Sequence, residues 1–205
     1  MQITLTNTGK RFNLEWIFRH VNFTFFTGNA YAIVGSNGSG KSTLLQVIAG
    51  ALLHSEGQVS FKNDADKKNI NEEDAFKEIA IATPYLELIE EMTAVEFLKF
   101  HETFKPLSSS IESILQDTSL SAASHKQIRY FSSGMKQRLK LAQAIFSKTS
   151  VLLLDEPCTN LDTAGIELYH TLIRKYTADR LIIVSSNDKT EYSFCKEIIT
   201  IENYK

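Results

Sequence analysis

The sequence predicts an α/β protein: a mostly parallel sheet, an antiparallel β subdomain at its amino-terminal end, and a helical subdomain inserted along the chain. Three observations carry this. Short apolar runs at residues 31–34, 151–154 and 181–184 have the length and content of buried strands. Near the start, Ile3 and Leu5 alternate with polar residues, as do Val21, Phe23 and Phe25, which is the period of strands with one buried face. In the middle, Val95, Phe97, Leu98, Phe100 and Phe104 recur at helical spacings until Pro106.

Each element has its own local signal. Gly28-Asn29 marks a turn before the strand at 31–34. Leu44, Leu45, Val47 and Ile48 give the next helix a buried side, and Gly50 suits its end. Residues 57–61 and 79–83 read as further strands. Between them Lys62, Lys67 and Lys68 interleave with Asp64, Asp66, Glu72 and Glu73, the pattern of a solvated polar loop. The aromatics of the middle segment are expected to pack in a core. Residues 108–110 read as a linker and cap ahead of a short helix containing Ile111, Ile114 and Leu115. Leu139, Ala142, Ile145 and Phe146 line one side of a later helix, and Ile166, Tyr169, Leu172, Ile173 and Tyr176 mark another. Residues 198–201 supply a last strand.

Composition narrows the class. At 43% hydrophobic and 22% charged over 205 residues, the chain is an ordinary globule. A net charge of −2 gives no electrostatic footprint for nucleic acid, and none is expected as a partner. The cysteines Cys158 and Cys195 match no metal or redox spacing and read as buried thiols in a reducing compartment. Met1-Gln2-Ile3-Thr4-Leu5 lacks a signal-peptide pattern, and no apolar run is long enough to cross a bilayer. The expected location is the cytoplasm, with any membrane role exercised through a partner.

The most informative stretch is Gly35-Ser36-Asn37-Gly38-Ser39-Gly40-Lys41-Ser42-Thr43, which fits the phosphate-loop pattern G-x-x-x-x-G-K-[ST] between a strand and a helix. Glycines let backbone amides approach phosphate oxygens, and the helix start aims its positive end at the anion. Lys41 adds a full charge, and the Ser42 hydroxyl can ligate Mg²⁺. The fold class is therefore a P-loop NTPase core. A second motif, Val151-Leu152-Leu153-Leu154-Asp155-Glu156-Pro157, delivers two acids at a strand's carboxyl end, where open α/β sheets bind ligands. Asp155 is placed to hold Mg²⁺, directly or through water, and Glu156 to polarise an attacking water. A third, Phe131-Ser132-Ser133-Gly134-Met135-Lys136-Gln137-Arg138, reads as a capped helix start whose exposed amides form an anion site.

Together these motifs, in this order, resemble the nucleotide-binding domain of ATP-binding cassette (ABC) proteins. The resemblance covers nearly the whole chain. The segment from Phe131 looks like the family signature, usually Leu-Ser-Gly-Gly-Gln, with Ser132 and Gly134 matching and Phe131, Ser133 and Met135 departing conservatively. Asn160-Leu161-Asp162 resembles the D-loop along the family's dimer seam, with Asp162 also suited to cap a helix. Phe12 lies where the family stacks an aromatic on adenine, although a strand Phe also suits a core. Met92-Thr93-Ala94-Val95-Glu96 matches the opening of the helical subdomain. The resemblance implies a single cassette with residues of about 1–84 and 141–205 as catalytic core and 85–140 as helical subdomain. It also implies ATP and Mg²⁺ as ligands, a second cassette (the same chain or another) and an integral membrane permease as partners, and a peripheral position on the inner face of the cell membrane. ATP would lie between the loop from Gly35 to Thr43 of one cassette and residues Ser132, Ser133, Gly134 and Met135 of the other. The compact length resembles small bacterial exporter subunits, haem exporters among them.

Two expected residues are missing. After the strand near Thr83 the family places a Gln, whereas this chain reads Thr83-Pro84-Tyr85 and has no Gln between Gln58 and Gln116. At the family's switch His stands Asn187, which can donate a hydrogen bond but carries no positive charge. With Glu156 retained, the expectation is an ATPase slower than its relatives, with Glu156, Lys41 and Asn187 around the reacting phosphate. A regulatory switch that binds ATP and scarcely turns over is the alternative. A ribosome- or DNA-acting cassette and a small-molecule kinase fit the motifs less well.

Overall fold

A computed structural model describes residues 1–63 and 68–205. Alternating apolar side chains set the first layer. β1 (Gln2–Phe12) and β2 (Glu15–Phe26) pair antiparallel with Gln2 opposite Phe26, turning at Asn13, whose φ of 53° suits a tight hairpin. Ile3, Leu5, Val21 and Phe25 are buried as their spacing predicts. Phe23 and Phe25 meet Tyr31 edge-on, at centroid separations of 5.7 and 5.0 Å.

The second layer is the parallel sheet. β3 (Ala30–Val34) leads to α1 (Lys41–Ile48), and Gly50, with φ of 69°, follows the helix end. β4 (Glu56–Lys62) joins the first sheet, and β5 (Asn69–Ile70) and α2 (Glu72–Ala75) come next. The polar loop expected here is corrected in part. Asn69 and Ile70 pair with Lys62 and Phe61, and Glu72 and Glu73 open a helical turn with Ala75 buried beneath it. Acidic side chains at a helix start meet the favourable end of its dipole, which a reading based on charge alone overlooks. Asp64, Asp66 and Lys67 of that expectation lie outside the described residues.

β6 (Ile79–Ala82) is followed by the helical segment, α3 (Ala94–Glu102), α4 (Ile111–Asp117) and α5 (Ser133–Ile145). β7 (Val151–Asp155), α6 (Thr163–Tyr176), β8 (Leu181–Ser185) and β9 (Glu197–Thr200) complete the chain. The strand orders are β2-β1-β4-β5 and β6-β7-β8-β3-β9. β7 and β8 are buried at every position, the pattern of strands covered on both faces.

Contacts divide the chain into two units. One comprises Met1–Ile81, Ser150–Asp155 and Asp179–Lys205, and the other Ala82–Thr149 and Glu156–Ala178. The core of the first joins Ile3, Phe25 and Phe61 to Leu44, Leu153 and Ile183. In the second, α3 starts with a reciprocal cap. The Thr93 hydroxyl accepts from the Glu96 amide, and the Glu96 carboxylate accepts from the Thr93 amide. The expectation that all the middle aromatics are core is corrected. Phe97 and Leu98 are buried, but Phe100 is 44% and Phe104 71% exposed, stacked edge-on to each other at 5.2 Å. At about 100° per residue, Phe100 is turned well away from Leu98, and the helix ends before Phe104. No helix among the described residues is long and apolar enough to cross a membrane.

Candidate functional site

The strand order places the carboxyl ends of β3 and β7 on either side of β8, about 10 Å apart. The loop after β3 curls back through Gly40, whose φ of 104° is left-handed and whose missing side chain leaves room for Ile17. Gly40 caps α1 with no side-chain hydrogen bond, and no acidic residue occupies the helix's first turn. The first amides of α1 are thus available to an anion. Lys41 is buried, and its Nζ donates to the carbonyls of Gly35 (2.9 Å) and Ser36 (3.1 Å), so the ammonium lies inside the curl of the loop.

Asp155 closes β7 with 3% of its surface exposed, and its Oδ1 has no protein hydrogen-bond partner. An ionised carboxylate left in that condition is costly, so the position calls for a cation or water. Ser185 stands opposite Asp155 in the parallel register, and its buried hydroxyl also lacks a partner. Ser42 adds a hydroxyl in the first turn of α1. Oxygen donors of this kind suit Mg²⁺. Ser185 was missed in the sequence, where it reads only as the residue after an apolar run.

Asn187 follows β8, and its Nδ2 donates to Asn37 Oδ1 of the phosphate loop at 3.1 Å. The segment around it is braced locally: the Asp188 amide donates to Ser186 Oγ, and the Asp188 carboxylate accepts from the Thr190 amide and hydroxyl. The structure therefore joins Asn187 to the loop. Phe12 ends β1 with 47% of its surface exposed and Lys10 Nζ 5.0 Å from its ring centroid, so it is no core residue. An open aromatic face beside a cation suits a flat heterocycle. Glu202 was unforeseen: its carboxylate reaches the phosphate loop from the far end of the chain.

The second unit carries the other predicted residues. Ser132 caps α5, its Oγ accepting from the Met135 amide at 3.2 Å, and the first turn holds no acid. A side chain at Gly134 would press on the Asn160 carbonyl at 3.1 Å. Asp162 caps α6 through the Gly165 amide at 2.8 Å. Ser132, Ser133, Gly134, Arg138, Asn160 and Asp162 share the lining of a cleft of about 730 Å³. Glu156 has a φ of 44°, uncommon for a residue with a side chain, and Asn160 has 65°. Backbone strain of this kind has no sequence signature. Lys41, Ser42, Asp155 and Asn187 thus belong to one unit, and Glu156 and residues 132–135 to the other.

Where the expected Gln is absent, the segment after β6 is gripped from α5. Lys140 Nζ donates to the Pro84 carbonyl at 2.7 Å, Lys136 pairs with Glu90, and Tyr85 stands 79% exposed. Gln137, buried, donates to the Pro157 carbonyl at 2.7 Å just after Glu156. Partial burial lowers the Lys140 pKa, with Lys136 adding to the effect. The three side chains, Lys136, Gln137 and Lys140, fall at i, i+1 and i+4 of one helix.

The fold and the loop define a nucleotide-binding P-loop protein. Residues 18–159 match the family model described as ABC transporter. The chain belongs to the ABC transporter family. It is 30% identical over 197 residues to the ABC transporter ATP-binding protein YybJ of Bacillus subtilis, covering 94% of this chain and 89% of that one. It is 32% identical over 191 residues to the cytochrome c biogenesis ATP-binding export protein CcmA of Mesorhizobium japonicum, covering 91% of each. Among solved structures, a dimeric bacterial ABC transporter cassette, MJ0796, superposes with a TM-score of 0.81 at 24% identity, covering 97% of this chain and 94% of that one. That likeness bears on the fold.

Proposed function

We propose that this chain is the ATP-hydrolysing subunit of an ABC transporter, working as a head-to-tail pair of cassettes bound to a separate membrane permease. The observation that carries the reading is a pair of helix starts free of acidic side chains, α1 behind Lys41 and α5 behind Ser132. Each suits phosphate, and two copies arranged head to tail would bring one of each kind to every ATP. The dimeric form of the structural relative and the transporter names of the sequence relatives support this arrangement.

In this scheme Lys41 and the α1 amides hold the β- and γ-phosphates, and the open face of Phe12 stacks on adenine. Ser42 and Asp155 hold Mg²⁺, which supplies charge neutralisation at the phosphates. Glu156 accepts a hydrogen bond from the attacking water and takes its proton as the oxygen bonds to phosphorus. ADP leaves with the electron pair of the broken bond. The α5 amides and Ser132 of the facing copy bind the same γ-phosphate, so ATP closes the pair and its hydrolysis releases it. The permease would dock near Tyr85, placing the chain on the inner membrane face.

Turnover should be slow. Tyr85 stands in place of an amide near the water, and Asn187 offers a neutral donor already engaged with Asn37. A positioned transition-state donor is worth roughly 10²–10³ in rate. Asn187→His should therefore raise steady-state turnover about tenfold or more, and Asn187→Ala should lower it. Family-typical turnover unchanged by Asn187→Ala would refute the claim of slowed hydrolysis. The same two residues favour the second reading, a switch that binds ATP and turns over little. Purification from detergent-solubilised membranes tests the transport reading: a polytopic membrane protein should remain bound, and bound RNA or no partner would count against it.

A further inference from the structure

β9 is followed by one tight turn, Ile201–Tyr204, whose first residue is fully buried and whose Tyr204 packs on the core of the same unit. Glu202 is held between those anchors and reaches across to the phosphate loop. Its Oε1 accepts from the Ser36 amide at 2.7 Å and from the Ser36 hydroxyl at 3.1 Å. Its Oε2 lies where a side chain on Gly35 would stand, 2.6 Å from that position. The backbone hydrogen bond from Ser36 holds the carboxyl below its usual range, so it is ionised at neutral pH.

The Gly35–Ser36 peptide unit is thus held at both edges, and the next unit at its Ser36 carbonyl alone. Glu202 takes the Ser36 amide, while Lys41 takes the carbonyls of Gly35 and Ser36. Those carbonyls hold the Lys41 ammonium inside the loop with one of its three protons left for a phosphate, and the direction of the Gly35 carbonyl depends on the orientation of its peptide. A carboxylate near an anion site would by itself oppose phosphate binding. Here it spends one oxygen on a loop amide and hydroxyl, so its two effects have opposite sign and can be separated.

We infer that Glu202 is a positioning residue for nucleotide binding, orienting the Gly35–Ser36 peptide whose carbonyl holds Lys41 from its other edge. It acts on the affinity for ATP and ADP, and leaves the cleavage step to other groups. This inference rests on the phosphate loop being the nucleotide site.

The test compares Glu202→Gln, which keeps an oxygen acceptor and drops the charge, with Glu202→Ala, which removes both. The readouts are equilibrium binding of a fluorescent ATP analogue and of ADP to the full chain, and KM and kcat for MgATP. Glu202→Ala should raise Kd and KM about 5- to 20-fold with kcat within about twofold, and Glu202→Gln should stay within about threefold of the native chain. Unchanged or tighter binding in Glu202→Ala would overturn the proposal, as would a Gln variant as weak as the Ala variant, or a loss confined to kcat. Lys41→Ala, measured alongside, separates the two failures. If it weakens binding while Glu202→Ala does not, only the role of Glu202 falls; if neither weakens binding, the nucleotide site itself has been misplaced.

Discussion

Lys41→Ala is expected to raise the Kd for MgATP by about 10²-fold, measured by fluorescence titration of the full chain. Hydrogen bonds to a charged group are worth roughly 1.5–3 kcal/mol each, and the variant loses the ammonium's bonds to phosphate as well as its Coulombic attraction. The change also leaves the carbonyls of Gly35 and Ser36 without their donor, so the loop loses its internal brace. Lys41→Arg should recover little, because a planar guanidinium does not fit inside a curl shaped to a single ammonium. Affinity within twofold of the native chain in Lys41→Ala would show that the loop is not where the triphosphate binds.

Glu156→Gln should cut steady-state hydrolysis by roughly 10²–10⁴-fold, the range for losing a positioned general base. ATP affinity should be nearly unchanged, since an amide replaces a carboxylate of the same shape beside Asp155, which is retained. The two effects together should trap a pair of chains around bound ATP, visible as a doubling of mass by light scattering with MgATP and not with ADP. A variant saturated with MgATP that stays monomeric both alone and in the presence of the permease would remove the head-to-tail arrangement. The left-handed φ of 44° at Glu156 makes a further point about this position. A single residue held in that region costs on the order of 1–3 kcal/mol, and such costs persist where they aim a functional side chain.

Much of the molecule was legible from local pattern. The strands read at 151–154 and 181–184, each one residue longer in the structure, were legible because burial on both faces demands an unbroken apolar run. The cap Asp162, and a cap at Ser132 or Ser133, were readable because a helix start needs a short acceptor three residues ahead of an amide, and the structure selects Ser132. The phosphate loop was readable because few residue types satisfy a left-handed turn, an anion and a metal within so short a span. The expected burial of Phe100 and Phe104 went wrong because spacing reports that a helix forms, and the neighbours present decide which side is covered.

By itself the sequence determined the class of chemistry: an α/β sheet with a phosphate loop, an acid pair at a strand end and a second helix start suited to phosphate. Those features depend on contiguous residues, whose conformations follow from backbone sterics and hydrogen-bond inventory. Only the tertiary structure decided that Glu202 grips Ser36 across the chain, that Lys140 holds the Pro84 carbonyl, that Asn187 meets Asn37 and that Ser185 stands beside Asp155. These contacts join residues far apart in the chain, and their partners are backbone atoms or short polar side chains. Such groups are present everywhere in a sequence, and only the folded backbone selects which of them come within reach.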